Sequence, residues 1–249
     1  FSLPWKKWTW EPSFMIFGVI CKTIYPNYFF FQFLCILINV TLLMMFFRRY
    51  VSNIPLAFMI MLVMSGFEIN INLVRNSISI LLFVNAIVFI EKKQFLPFLL
   101  VCLLGFTFHS SSLAYIPMYF IINRKFNKYI MMAIFAVANV IYLFHIPILK
   151  SLILLVVDYI MPSTKLWVEA YLSMDLSTGS VLSIGYLERL LTGILLFCYI
   201  DKLREVRNGN NIFVNSMLFY LCTFLFLSEF RTISLPCSYL FIYAYWIVW

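Results

Sequence analysis

Residues 75–108 read RNSISILLFVNAIVFIEKKQFLPFLLVCLLGFTF, two long apolar runs joined by a polar turn at 91–94. Neither run alternates apolar with polar residues, so the pattern favours helices over strands. Backbone polar groups in hydrocarbon are satisfied only within helices or a closed barrel. This stretch therefore predicts two consecutive membrane helices.

The composition of the whole chain supports the same class. Of its 249 residues, 64% are hydrophobic, 20% aromatic and 11% charged, whereas a soluble domain carries about a quarter charged residues. We predict an all-α, polytopic integral membrane protein with short loops and roughly nine to ten membrane helices or half-helices. It would form a single membrane domain over residues 1–249, and we expect the natural chain to continue at both ends. The predicted apolar stretches are 26–47, 54–73, 75–90, 94–108, 111–122, 129–144, 185–200, 214–229 and 233–249.

Two kinds of segment depart from a simple crossing. The stretches at 94–108 and 111–122 are shorter than the roughly 20 residues of a straight span, which favours tilted helices or half-helices. Residues 145–161 hold Lys150 and Asp158, so we expect a helix lying at the interface. Residues 162–184 are predicted to form a loop on the outer side of the membrane.

Basic residues follow every second predicted crossing, and cytoplasmic loops are enriched in them. This rule places the clusters on the cytoplasmic side and accounts for the net charge of +8 without a nucleic-acid partner. The opposite, outer face then receives Arg75, His109, Arg189, Arg231 and Glu11. The cytoplasmic clusters are Arg48 and Arg49, Lys92 and Lys93, Arg124, Lys125 and Lys128, and Lys202, Arg204 and Arg207.

The outer arginines need an explanation, because charge within or beside hydrocarbon is costly. A guanidinium stays charged and forms paired hydrogen bonds with phosphate, so a pyrophosphate headgroup at the membrane surface fits Arg75, Arg189 and Arg231 best. Arg75 is also expected in the first turn of its helix, where the dipole attracts anions. Alternatively, each arginine reaches the interface or pairs with a nearby glutamate. Those glutamates are Glu68, Glu188 and Glu229.

His109 precedes Ser110, Ser111 and Ser112 at a predicted helix break. A neutral imidazole there could take a proton from a sugar hydroxyl. It could equally hydrogen-bond a carbonyl and stabilise the break.

Motifs for metal or nucleotide chemistry are absent from the sequence. There is no D-x-D, no H-E-x-x-H, no paired Cys and His spacing, no glycine-rich phosphate loop and no G-x-S-x-G. We expect no cofactor and no metal, so the substrate would have to arrive already activated.

One pattern carries a family resemblance. Residues 72–79 (NLVRNSIS), 91–94 (EKKQ) and 106–113 (FTFHSSSL) are separated by apolar helices. The arrangement resembles the EpsG-like branch of the Wzy-type bacterial polysaccharide (O-antigen) repeat-unit polymerases, although Asn76 stands where the family pattern has Gln. Residues 11–14 (EPSF) and 26–28 (PNY) resemble its entry region. The pairs Glu188-Arg189 and Phe230-Arg231 resemble its later arginine positions.

The resemblance implies a glycosyltransferase of the bacterial inner membrane. It would join oligosaccharide repeat units carried on undecaprenyl pyrophosphate, on the periplasmic face, with membrane lipid and a polysaccharide chain-length regulator as further partners. On this reading Arg75, Arg189 and Arg231 bind pyrophosphate, and His109 activates or orients the acceptor hydroxyl. Arg75 would also serve catalysis directly. The carboxylates that could orient these groups are Glu11, Glu188 and Glu229.

Other functions remain open at this point. A flippase or transporter for lipid-linked sugars would need charge through the depth of the membrane, whereas the predicted charges lie at one face. A membrane O-acyltransferase of surface sugars would be expected to carry a prominent His/Arg pair near the start of the chain, which the sequence lacks. A ligase shares nearly all the chemistry, and a scaffold in an export complex shares only the membrane helices. The polymerase is the preferred interpretation.

Overall fold

The protein is described by a computed structural model that covers residues 11–66, 73–146, 148–160, 169, 182–229, 234 and 237–248. Within these ranges every regular element is a helix, and the predicted all-α class is confirmed. The chain falls into two compact units, each described separately below. The first contains Phe1–Arg124 and Tyr245–Ile247, and the second contains Lys125–Ala244 and Val248. A single membrane domain over the whole chain stays a prediction.

The first unit is built around two consecutive helices. A π-helical turn, Leu62–Gly66, follows the third helix, and a 3-10 helix, Ser110–Tyr115, follows the fifth. Its α-helices are α1 (Pro12–Ile24), α2 (Tyr28–Tyr50), α3 (Ile54–Met61), α4 (Val74–Glu91), α5 (Phe95–Phe108) and α6 (Met118–Ile121).

The second unit contains the remaining long helices. They are α7 (Lys128–Leu143), α8 (Ile148–Ile160), α9 (Ile184–Glu205) and α10 (Asn211–Phe226). A 3-10 helix, Ile242–Ala244, packs on α10, where Ser216 Oγ and Tyr243 Oη lie 2.6 Å apart. One further turn, α11 (Tyr245–Val248), follows directly in the chain, and its first three residues belong to the first unit.

Side-chain caps explain where several helices begin. Asn27 accepts a hydrogen bond from the Phe29 backbone N–H at 2.8 Å, and Asn127 accepts one from Tyr129 at 2.8 Å. Asn53 and Ser183 cap α3 and α9 in the same way. Asn and Ser are preferred at this position because their oxygens satisfy a backbone donor that has no partner within the helix.

The core of the first unit is α4, whose side chains are buried along most of its length. It forms a hairpin with α5, and Lys93 (φ 57°) provides the left-handed residue that lets the chain turn at once. On its α2 side, Asn39 Nδ2 donates to Ser77 Oγ at 2.7 Å, and Asn85 Nδ2 donates to the Leu42 carbonyl at 2.9 Å. These polar contacts fix the position of α4 against α2.

The helices differ in whether they are long enough to cross a membrane. Among the described residues, two helices are long and apolar enough to cross, α2 and α4. Five further apolar helices in the same ranges contain 10–17 residues each, namely α1, α3 together with the start of the π-helical turn (Ile54–Met64), α5, α7 and α10. Most predicted apolar stretches coincide with helices. The stretch at 26–47 corresponds to α2, 75–90 to α4, 94–108 to α5, 129–144 to α7, 185–200 to α9 and 214–229 to α10. The segment 145–161, predicted as a helix at the interface, contains α8.

The stretch predicted at 111–122 is not one helix. The chain instead forms the 3-10 helix Ser110–Tyr115 and the single turn α6. Pro117 stands between them, and a proline lacks the N–H that would continue a helix. The hydroxyls of Ser111 and Ser112 donate to groups outside this segment, at Asn76 and the Cys102 carbonyl. The predicted break after α5 is confirmed, because His109 has an extended backbone (φ −156°, ψ 134°).

Candidate active site

Three ionisable side chains from distant parts of the first unit meet at one carboxylate. Glu11 Oε2 forms an ion pair with Arg75 Nη1, and Glu11 Oε1 lies 2.5 Å from His109 Nδ1. The side chain of Glu11 is only 11% exposed. A nearly buried carboxylate needs charged or hydrogen-bonding partners, and Arg75 and His109 supply them.

Local structure places each group. Glu11 directly precedes Pro12, the first residue of α1, so its side chain lies at the start of that helix. Arg75 is the second residue of α4, as predicted for a first-turn arginine. His109 ends α5 and begins the 3-10 helix. The site is therefore assembled from three helix ends.

The carboxylate also decides the tautomer of His109. An ionised carboxylate only accepts hydrogen bonds, so Nδ1 of the neutral imidazole carries the proton that faces Glu11. The other ring nitrogen, Nε2, then has a lone pair. This is the arrangement in which a buried carboxylate orients a histidine as a base.

Arg75 is held but not enclosed. Its hydrogen bond to Glu11 uses Nη1, its guanidinium carbon lies 5.8 Å from the ring centre of Phe14, and 54% of its side chain is exposed. A guanidinium has five N–H donors in a planar fork. The donors that do not face Glu11 can therefore bind an anion.

A second hydrogen bond joins the same two elements. Ser111 Oγ donates to Asn76 Oδ1 at 2.7 Å. Sequence reasoning did not assign either side chain to the site. The only signal for the pair was its place in the chain, since Asn76 follows Arg75 and Ser111 lies two residues after His109.

Arg189 lies in the second unit and has different surroundings. It is 9% exposed, and its guanidinium carbon lies 4.0 Å from the ring centre of Phe224 and 5.4 Å from that of Tyr220. Its Nη1 donates to the Gly185 carbonyl at 2.8 Å. Stacking on aromatic faces is a favourable environment for a buried guanidinium.

The other candidate carboxylates make different contacts. Glu188 Oε1 accepts a hydrogen bond from Thr192 Oγ1 at 2.9 Å. Glu188 and Arg189 are both among the described residues, and they form no ion pair with each other. Glu229 Oε2 accepts from the Lys150 backbone N–H at 2.9 Å and so caps the first turn of α8. Arg231 and most of the predicted loop 162–184 lie outside the described residues, as does Glu68.

The next feature is the set of side chains that could bind a metal ion in the described ranges. No group of three or more His, Cys, Asp or Glu side chains there is arranged to hold a metal ion. The cluster of Glu11, Arg75 and His109 offers one carboxylate, one fixed cation and one imidazole. That combination suits proton transfer beside an anionic group.

Apolar helices that carry a polar cluster at their ends are typical of a membrane protein. The sequence profile of the EpsG family matches residues 1–249, and the chain belongs to this family of Wzy-like polysaccharide polymerases. Membership assigns the chain to polysaccharide biosynthesis as a glycosyltransferase-like polymerase. Neither a curated protein nor a solved structure matches the chain.

Proposed function

We propose that this protein joins oligosaccharide repeat units carried on undecaprenyl pyrophosphate at the outer face of the bacterial inner membrane. The observation that carries the proposal is the shared carboxylate, because Glu11 holds an anion-binding arginine and a candidate base in one site. Family membership supplies the reaction class.

The proposed step transfers the growing chain from its lipid to a new unit. A hydroxyl oxygen of the acceptor sugar bonds to the anomeric carbon of the donor as the bond from that carbon to the pyrophosphate oxygen breaks. The hydroxyl proton moves to His109 Nε2, and the bonding electrons leave with undecaprenyl pyrophosphate. Glu11 stabilises the resulting imidazolium through Nδ1–H.

Arg75 acts on the leaving group in this proposal. Negative charge grows on the pyrophosphate as the glycosidic bond breaks, and a fixed guanidinium stabilises it more in the transition state than in the substrate. Its exposed side chain is consistent with access for a headgroup. Arg189 and Arg231 are proposed as further pyrophosphate-binding residues, and Glu188 and Glu229 as weaker candidates for orienting groups.

The proposed topology follows the basic loops. With the clusters at 48–49, 92–93, 124–128 and 202–207 in the cytoplasm, the start of α4 and the end of α5 face outward. The 13-residue α1 is too short for a straight crossing, so we place its start, with Glu11, on the same side. All three helix ends of the site then lie on the side where lipid-linked repeat units are polymerised. A multi-pass inner-membrane protein of roughly nine to ten membrane segments is part of this proposal, as is a partner that regulates chain length.

The test is the surface polysaccharide of the source bacterium after deletion of this gene. We expect the long ladder to disappear from a gel while the single repeat unit remains. The wild-type gene should restore the ladder and His109→Gln should not. His145→Gln is the matched control, since it changes the second histidine outside the cluster.

Other outcomes reject the proposal in distinguishable ways. Loss of every form, including the single repeat unit, would identify a flippase or an earlier assembly step. An intact ladder would exclude polymerisation and favour the O-acyltransferase, which would then show as missing sugar esters.

A further inference from the structure

The break after α5 carries three consecutive serine hydroxyls, and their surroundings differ. Ser112 Oγ donates to the Cys102 carbonyl at 3.0 Å and so returns to α5. Ser110 is exposed. Ser111 Oγ donates to Asn76 Oδ1 on α4 at 2.7 Å. Among these hydroxyls Ser111 is therefore the link to the helix that carries Arg75.

We propose that the Asn76–Ser111 hydrogen bond is a positioning device, which fixes the base His109 at the correct distance and angle from Arg75. The proposal rests on the function proposed above. Asn76 and Ser111 touch neither reacting group in the structure, so they would act through their neighbours: Arg75 precedes Asn76, and His109 stands two residues before Ser111.

Burial gives this hydrogen bond its rigidity. Asn76 is 3% exposed, and a buried amide oxygen left without a donor is unfavourable. The contact therefore persists whenever α4 and α5 are packed. The hairpin turn at Lys93 fixes how α4 and α5 lie against each other at one end. The site lies at the other end of α4, about 27 Å away along a helix of 18 residues. The Asn76–Ser111 hydrogen bond is a second constraint, at the end where the chemistry occurs.

The backbone hydrogen bonds of His109 do not connect it to α4. His109 N donates to the Gly105 carbonyl at 2.9 Å, and Ser112 N donates to the His109 carbonyl at 3.1 Å. Both bonds tie His109 to its own helix segment, and neither reaches α4. Glu11 does connect the two groups, but its carboxylate comes from α1 and cannot by itself fix how the break lies on α4.

Misplacement of a reacting group has a large kinetic effect. A shift of about 1 Å in a catalytic group is sufficient for a roughly 10²-fold loss of rate. A positioning residue should therefore affect kcat. It should leave KM nearly unchanged, because the donors of Arg75 that bind pyrophosphate do not depend on Ser111.

The experiment compares Ser111→Thr with Ser111→Val in the full-length protein, in liposomes supplied with the lipid-linked repeat unit. Thr and Val have nearly the same shape, so only the hydroxyl differs. We expect Thr to retain at least a third of the wild-type kcat, and Val to lose about tenfold or more with KM within about twofold. Ser110→Ala is the control for change at the break.

A double-mutant cycle tests the partner. Asn76→Ala should lower kcat as Ser111→Val does, and the double variant should be no slower than the slower single variant, because one bond is lost in each. Melting temperatures in detergent show whether each variant is folded.

Three results would overturn the inference: equal kcat for the Thr and Val variants, a loss confined to KM, or additive losses in the double variant. Failure of the proposed function has a different signature. In that case the wild-type protein itself forms no polymer from the lipid-linked unit, and the positioning role falls with the function.

Discussion

Glu11 and His109 are 98 residues apart in the chain, yet Oε1 of one and Nδ1 of the other are separated by 2.5 Å. The same carboxylate contacts Arg75, 64 residues away from Glu11. One acidic side chain therefore connects the start of α1 with the two helices that carry the proposed chemistry. Its removal should affect both partners at once.

The first prediction concerns the charge of Glu11. Glu11→Gln keeps the size of the side chain but can present its amide N–H₂ to the imidazole and so allow the wrong tautomer. We expect kcat for elongation to fall by about 10²-fold or more, measured as polymer formed from the purified lipid-linked unit. Glu205→Gln, at the exposed end of α9, should retain wild-type activity. A Glu11→Gln protein as fast as the wild type would remove Glu11 from the mechanism.

The second prediction separates charge from shape at Arg75. Arg75→Gln should reduce kcat by about 10²-fold, because the leaving pyrophosphate loses a fixed cation. Arg75→Lys keeps the charge without the planar fork, so an intermediate loss of about tenfold is expected. The control is Arg48→Gln. Arg48 is exposed and lies near the C-terminal end of α2, away from the cluster of Glu11, Arg75 and His109. Unchanged polymer length and amount in Arg75→Gln would contradict the assigned role.

The third prediction concerns packing in the second unit. A Cβ atom on Gly193 of α9 would lie 2.2 Å from the Phe135 ring on α7, so the helices approach this closely only because the residue is glycine. Gly193→Ala should lower the free energy of unfolding by about 1–3 kcal/mol.

Gly18 in α1 is the matched control for that substitution, since its added Cβ would meet nothing within 4 Å. Gly18→Ala should raise the free energy of unfolding by about 0.5–1 kcal/mol through helix propensity. Melting temperatures of both variants in one detergent measure the difference. Equal shifts for the two glycines would show that α7 and α9 are not in close contact.

The fourth prediction concerns pH and the ion pair of Lys128 with Asp201, whose Nζ and Oδ2 lie 2.7 Å apart beyond the ends of the predicted apolar stretches. The hydrogen bond from Lys128 lowers the pKa of Asp201, and the same bond raises the pKa of Lys128. Asp201 therefore contributes stability above its unfolded pKa of about 3.9 and loses it as the pH falls through the lower folded value. Lys128 contributes below about 10.4 and loses its contribution as the pH rises through the higher folded value.

Melting temperatures of the wild type and Asp201→Asn between pH 3 and pH 7 would check this sign. The wild type should be more stable at pH 7, by a small margin because both side chains are solvent-exposed. The margin should shrink as the pH falls. High salt should reduce it as well, because exposed pairs are screened. A margin that grows toward acid pH would contradict the assigned pKa direction.

Sequence prediction succeeded where the signal is local. Apolar runs located α2, α4 and α5 to within a few residues, because helices in an apolar chain follow the continuous runs. The four residues His109–Ser112 predicted the break, since three consecutive hydroxyls disfavour a helix interior, and His109 is extended there in the structure. Arg75 was expected in the first turn of its helix and is found there.

The contacts of the site could not be predicted in the same way. Glu68 was a possible partner for Arg75 because the two are close in the sequence, whereas the observed partner of Arg75 is Glu11. Glu229 was a candidate to orient an arginine, and its observed contact is with the backbone of α8. These pairings depend on how helices pack, which apolar periodicity in one chain does not determine. Aromatic contacts of Arg189 with Phe224 were missed for the same reason.

The tight turn at Lys93 has a consequence for the order in which the protein becomes competent. Because α4 and α5 are joined by a few residues, their contacts are local, and local contacts form early at small entropic cost. We therefore expect Arg75 and His109 to come together early in folding, when α4 and α5 form one hairpin. Glu11 must find them across 64 residues of sequence from Arg75. A molecule in which α1 has not docked would keep the hairpin but lack the carboxylate that orients His109, so the site is complete only when α1 is in place.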